Sequence, residues 1–254
     1  MGESANSAAL LLGLSGPSSS GKTTLARLLR DILPNTSILH IDDFYKTDKD
    51  IPVNEDGLQD WDCLDSLDLP LLTSTLEYIK EHGRPPTNFI SKEDQNEVGE
   101  SGVSEKTVVQ FREEIQHVCG DRAFDSPIVI IDGFLLYSDI PPLSKVTELL
   151  DVKLFLHNVT YQTVKRRREA RKGYVTLEGF WEDPPGYVDK IVWPNYVKDH
   201  KFLFYDGDVE GRLNEEVCKE LGIRGMPERG DNQISIQDML EWALAAVKED
   251  FRQK

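Results

Sequence analysis

The sequence predicts an α/β fold, a parallel β-sheet flanked by helices, with a lid over one end. Three observations predict it. Short apolar runs alternate with helix-period segments along the chain. A glycine- and serine-rich turn joins the first such run to the first helix. Two of the runs end in or lead into aspartates, the pattern of strands whose carboxyl ends face a ligand crevice.

The elements follow in order. Ala8–Ser15 is an apolar run suited to a strand buried on both faces. Lys22–Leu33 is helical, with Leu25, Leu28, Leu29 and Ile32 on one face and Pro34 just beyond. Ser37–Ile41 reads as a second strand. Leu64–Ile79 reads as a helix from apolar residues at 64, 67, 71, 72, 76 and 79. The segment 91–104 is almost devoid of apolar residues and reads as a flexible insert. Glu105–Cys119 forms a helix if Val109, Ile115 and Val118 share a face. Pro127–Ile131, closed by Asp132, and Asp151–Leu156 give two more strands, and Thr160–Lys172 a basic helix. Gly173–Pro185 mixes aromatics, glycine and proline, as a mobile flap would; the whole lid spans about 165–188. Phe202–Tyr205 is read as a last strand, and 211–232 as a variable loop. The C-terminal helix, 235–252, opens on a capping box between Ser235 and Asp238, with Leu240, Leu244, Val247 and Phe251 as its stripe. All of this fits one domain over residues 1–254.

Composition sets the bounds. Hydrophobic residues make up 39% of 254 residues, and the 18 glycines bring the fraction to the ordinary globular range. With 45 acids against 29 bases, the net charge of −16 argues against nucleic acid and against an anionic membrane as partners. Cys63, Cys119 and Cys218 are odd in number and widely spaced, which suggests reduced thiols and a cytoplasmic setting, with nuclear presence left open. The expected assembly is a monomer or a weak homodimer.

Three stretches carry chemistry. "GPSSSGKT", residues 16–23, satisfies G-x-x-x-x-G-K-[ST] between a strand and a helix, the phosphate-binding loop of P-loop NTPases. Gly16, Pro17, Ser18, Ser19, Ser20 and Gly21 bring backbone N–H groups to phosphate oxygens at a helix N-terminus, with Thr24 continuing the cradle. Lys22 reaches the β- and γ-phosphates of ATP, and the Thr23 hydroxyl ligates Mg²⁺. No guanine-reading N-K-x-D is present, so a small P-loop domain with a flap points to a kinase acting on a small molecule. In "ILHIDDFY", one of Asp42 and Asp43 faces the transferred phosphate, where a carboxylate serves as general base. Asp132, after four apolar residues, resembles the acid of a Walker B strand, which holds the metal. In "KRRREARK", Arg166, Arg167 and Arg168 are separated by about 100° each and cannot all serve one site. Arg167 or Arg168, paired with Arg171, can converge on the transferring phosphoryl.

Together with "QDWDCLDSLD", "IDGFLLY" and "DPPGYVDKIVWPNY", these segments resemble, in order, the nicotinamide riboside kinases, a branch of the uridine-kinase-like P-loop kinases. The form "RKGYVTLEGFWEDPP" resembles the fungal members. The resemblance runs from about Leu11 to Asp208 and is weak over 84–125. It implies Mg²⁺-dependent transfer from ATP to the ribose 5′-hydroxyl of nicotinamide riboside, with nicotinic acid riboside a second substrate. Asp42 is then the base, also near Mg²⁺, with Asp43, Phe44 and Tyr45 beside it at the substrate. It also implies that Trp61 stacks on the pyridine ring, that Asp62 and Arg168 hold the ribose diol, and that Arg167 and Arg171 lie on the ATP side. Gly173 and Tyr174 match a substrate-contacting part of the lid, and Gly207-Asp208-Val209 a border of the adenine. Asp132 stands where several relatives carry Glu, and Val175–Glu182 lengthens the flap. A uridine or cytidine kinase is the nearest alternative, and a nucleotide-sensing protein without turnover is the alternative of another class.

Overall fold

The computed structural model describes residues 9–87, 89–91, 101–119, 126–171, 173–175, 179–227 and 234–253. Its centre is a five-stranded, wholly parallel sheet: β1 Leu10–Ser15, β2 Thr36–His40, β3 Ile128–Gly133, β4 Val152–Phe155 and a short strand Ile223–Gly225 in the order β2-β3-β1-β4 and then the short strand. The expected P-loop α/β fold is the observed one.

Side-chain alternation splits the core in two. From β1 and β3, Leu11, Val129 and Ile131 face one side, where they meet α2 Leu69–His82 and α4 Leu143–Leu149. Leu10, Leu12, Leu14, Ile128 and Ile130 face the other, against α1 Lys22–Ile32, α3 Glu105–Cys119 and the C-terminal helix Ile236–Gln253. With both faces covered, the strands read as unbroken apolar runs rather than alternating ones. The C-terminal helix is capped as expected, Ser235 and Asp238 bonding each other's backbone N–H at 3.0 and 3.1 Å.

A third apolar cluster joins Ile51 and Trp61 to Val164 of α5 Tyr161–Glu169 and to Tyr187, Val188, Ile191 and Val192. Beyond α5, a two-stranded antiparallel hairpin, β5 Tyr174–Val175 and β6 Phe180–Trp181, forms the flap. A π-helical turn, Val188–Val192, then runs into α6 Trp193–His200. Next come α7 Glu215–Leu221, the short strand (β7) and the C-terminal helix (α8). Among the described residues, no helix is long and apolar enough to cross a membrane.

Four expectations are corrected. The helix read over Leu64–Ile79 begins only at Leu69, because the Asp68 carboxylate caps Leu71 N–H at 3.0 Å and Pro70 belongs in a first turn. Leu64–Ser66 is a separate 3₁₀ turn. In α3 the buried face holds Ile115 with Val108 and Phe111, whereas Val109 and Val118 are exposed. Phe202–Tyr205 is not a strand; it lies across two 3₁₀ turns and touches Leu213 through one isolated bridge. The last strand is β7, inside the segment read as a loop, where Asn214 caps α7 and Gly222 ends it in the left-handed conformation. Most of the 91–104 insert lies outside the described residues.

Candidate active site

The carboxyl ends of β1, β2 and β3 open onto one cleft, and the phosphate loop is its floor. Gly16 has φ +149°, and a Cβ there would stand 2.4 Å from the Leu156 carbonyl oxygen. Gly21, at φ +103°, is the N-cap of α1 and supplies no capping side chain, so the first N–H groups of α1 are left for an anion. Lys22 is buried and donates to the Pro17 carbonyl at 2.9 Å. Burial lowers its pKa, opposed by the charges of Asp132 and Asp42. Ser18, Ser19, Gly21, Lys22, Thr23 and Thr24 line the cleft, whereas Gly16, Pro17 and Ser20 do not.

Asp132, the penultimate residue of β3, lies directly opposite His40 of β2 in the sheet register. Its Oδ2 accepts from the Thr23 hydroxyl at 2.7 Å and lies 3.0 Å from His40 Nδ1. Burial pushes this carboxyl up, but the His40 bond and charge, Lys22 and Thr23 outweigh it and hold the group below the ordinary carboxylate range. Its Oδ1 is buried with no partner among the described residues. An ionised carboxylate with one open oxygen beside a threonine hydroxyl fits Mg²⁺, which takes one or two carboxylates and completes its shell with water and phosphate. Among the described residues no cluster of three or more His, Cys, Asp or Glu suits a metal held by protein alone. Asp42, in the 3₁₀ turn Ile41–Phe44 after β2, also lines the cleft.

The other half of the cleft is aromatic and acidic. Trp61 is 4% exposed, with the Tyr45 ring edge-on at 5.3 Å and Trp181 of the flap at 5.6 Å. Asp62 and Arg168, each buried, form a bidentate pair at 2.7 and 2.8 Å. Arg168 is the hub of the site. Its Nε and Nη2 also reach Asp183, at 2.6 and 3.3 Å, and Nη1 reaches the Ser18 hydroxyl at 2.8 Å. All five guanidinium N–H groups are thereby used on protein acceptors. Burial raises the Asp62 carboxyl against the pull of Arg168. Tyr174 stacks under both Arg168 and Arg171, each 5.3 Å from its ring, and Arg171 donates to the Tyr174 hydroxyl at 3.0 Å.

Several expected residues lie elsewhere. Phe44 is in the core, stacked on Phe89 at 5.6 Å, and neither Asp43 nor Gly173 lines the cleft. Arg167 is on the outer side of α5 and donates to the Ser19 carbonyl at 3.2 Å. Val209 of the 207–209 loop is buried in the core. Sequence reasoning missed His40, Trp181 and Asp183. The first needed the β2–β3 register; the other two belong to the aromatic flap, and Trp181 donates its indole N–H to Asp183 at 2.9 Å.

A phosphate loop heading a parallel sheet, a strand-end acid bonded to the loop's threonine, and a flap folded over an enclosed cleft define a P-loop phosphotransferase for small molecules. The chain is 38% identical over 241 residues to nicotinamide riboside kinase of Schizosaccharomyces pombe, covering 94% of this chain and 96% of that protein. It is 37% identical over 239 residues to nicotinamide riboside kinase of Eremothecium gossypii, covering 94% and 92%, and 34% identical over 213 residues to that of Saccharomyces cerevisiae, covering 84% and 86%. No protein-family profile matches. The chain belongs to the nicotinamide riboside kinase family.

Proposed function

We propose that the protein transfers the γ-phosphoryl group of ATP to the ribose 5′-hydroxyl of nicotinamide riboside, forming the mononucleotide used in NAD biosynthesis and salvage. Nicotinic acid riboside is a second substrate in this reading, and the reaction runs in the cytoplasm. The observation that carries it is that Lys22, Thr23, Asp132, Asp42, Trp61 and Asp62 all open onto one cleft.

The phosphate loop N–H groups and Lys22 hold the triphosphate. Thr23 and Asp132, with Asp42 near them, would hold Mg²⁺, which would offset charge on the phosphate oxygens. Asp42 accepts the 5′-hydroxyl proton as that oxygen attacks. Trp61 takes the pyridinium ring on its face, a contact worth ~0.5–2 kcal/mol. The Asp62 oxygens keep lone pairs beyond those used by Arg168, enough to accept from a ribose diol. A hydroxyl replacing Ser18 or Asp183 as an Arg168 acceptor would give the sugar both residues. Arg171, with Arg167 behind the loop, lies on the phosphate side, and the flap excludes water so that ATP is not hydrolysed.

The test is product formation by the purified protein from ATP, Mg²⁺ and either nicotinamide riboside or uridine, read by chromatography. Nicotinamide mononucleotide should dominate. Uridine phosphorylated equally well would overturn the substrate. Asp42→Ala should lower kcat by at least about 10²-fold, the lower scale of general-base catalysis, with ATP affinity held within about twofold. Near-full turnover in that variant would remove Asp42 as the base.

A further inference from the structure

We infer that Tyr187 and Asn195 are positioning residues that set the sugar and ring subsite by tethering the backbone beneath Trp61 and Asp62. The inference rests on the cleft's reading as a riboside site. The stretch Gln59–Asp62 has no helix or strand ladder of its own: it follows an isolated bridge between Val53 and Gln59 and precedes the 3₁₀ turn at Leu64. Locally it is held by the Asp60 N–H on the Pro52 carbonyl at 2.7 Å and the Ser66 hydroxyl on the Trp61 carbonyl at 3.0 Å; its remaining ties come from distant side chains.

Four consecutive residues are held by two side chains from beyond the flap. The Tyr187 hydroxyl donates to the Gln59 carbonyl at 2.9 Å and accepts the Trp61 N–H at 3.0 Å. Asn195 donates its amide to the Asp60 carboxylate, 2.9 Å from each oxygen, and Asp60 Oδ1 accepts the Asp62 N–H at 3.1 Å. Tyr187 is 1% exposed, so its hydroxyl has no water to replace these partners. Tyr187 and Asn195 lie on one rod, the π-turn followed by α6, and Val188, Ile191 and Val192 pack that rod against the Trp61 cluster. The same Tyr187 ring lies 5.5 Å from the Arg168 guanidinium and edge-on to Trp181 at 5.7 Å. One residue thus touches the flap, the arginine hub and the ring-facing loop. Neither Tyr187 nor Asn195 lines the cleft, which assigns them a positioning role.

The test is steady-state kinetics of Tyr187→Phe and Asn195→Ala, with KM for riboside and for ATP measured separately. Tyr187→Phe removes both hydroxyl bonds to the 59–61 backbone, Asn195→Ala removes the amide contacts to the Asp60 carboxylate, and both leave the phosphate loop untouched. Riboside KM should rise about tenfold or more, a net loss of at least about 1.4 kcal/mol in holding the subsite, while ATP KM stays within about twofold. An unchanged riboside KM in both variants would overturn the inference, as would equal rises in both constants, the mark of general damage. If Tyr187→Phe fails to fold, Asn195→Ala carries the comparison alone. If the wild type phosphorylates another nucleoside instead, the substrate reading fails, and the ratio of constants is read on that nucleoside.

Discussion

Replacing Arg168 by Met tests whether the hub is formed in the free protein. Arg168 and Asp62 are each 6% exposed, and the guanidinium also serves Asp183 and Ser18. Met keeps most of the side-chain volume and removes every donor. Asp62 and Asp183 are then left facing each other without a cation. Removing one partner of a buried pair costs ~3–5 kcal/mol, because the remaining charge is stranded in a poorly solvating environment. At about 2–4 °C per kcal/mol for a chain of this size, the melting temperature should fall by roughly 6–20 °C. Adding Asp62→Asn removes the stranded charge, so the double variant should lose less than the two single losses together, with a coupling of ~0.5–3 kcal/mol. The pH dependence has a definite sign. Burial already raises the Asp62 carboxyl, and loss of Arg168 removes the charge that opposes this. A carboxyl raised in the folded state favours folding once protonated and loses that advantage as pH rises through its folded-state value. The Arg168→Met deficit should therefore shrink as pH falls. Calorimetry of all four proteins without ligands decides the matter. Melting of Arg168→Met within 2 °C of wild type, or strictly additive losses, would refute a preformed hub.

Two further outcomes follow from the geometry. Trp61→Ala should raise the riboside KM more than the ATP KM, since the ring face is lost while the phosphate loop is intact; equal effects would contradict stacking. His200 is fully buried and stacked 5.6 Å from Phe155, and burial pushes its pKa down to about 4 from 6.5. Below pH 6.5 the unfolded chain takes a proton that the folded one refuses, so stability should fall by about 3 kcal/mol between pH 6.5 and 4. His200→Phe should flatten that part of the stability curve, and a slope unchanged in the variant would show that another group carries it.

The sheet was legible because its strands announce themselves by composition. "LLLGLS" and "IVIID" are covered on both faces, so up to their cleft ends, Ser15 and Asp132, they carry no polar side chain. Periodicity failed where a local backbone preference cut across it. Leu64, Leu67, Leu71 and Leu72 keep helical spacing straight through Asp68 and Pro70, yet a cap and a proline two residues apart start a new helix there. Ile223–Gly225 failed for the opposite reason. Three residues, one of them glycine, are too few to show a pattern, and only pairing with β4 makes them a strand.

The site divides along the same line between contiguous and assembled chemistry. The phosphate loop is one turn of chain, so its glycines, Lys22 and Thr23 had to be adjacent in sequence and could be read there. Asp132 was legible because a buried strand ending in a carboxylate demands compensation, which His40 and Thr23 supply. The arginines are the intermediate case. Angular separation on α5 excludes a shared site for Arg166, Arg167 and Arg168, and the structure buries only Arg168. The choice among the three was encoded by Val164, four residues earlier and fully buried on the same face, which turns Arg168 inward. What it meets there could not be read from α5 at all. Asp62, Asp183 and Ser18 come from three separate segments, and a guanidinium with five donors is the side chain able to join them. Two acids from separate segments, Asp62 and Asp183, converge on this one buried cation, so a single guanidinium joins the 59–62 loop to the flap.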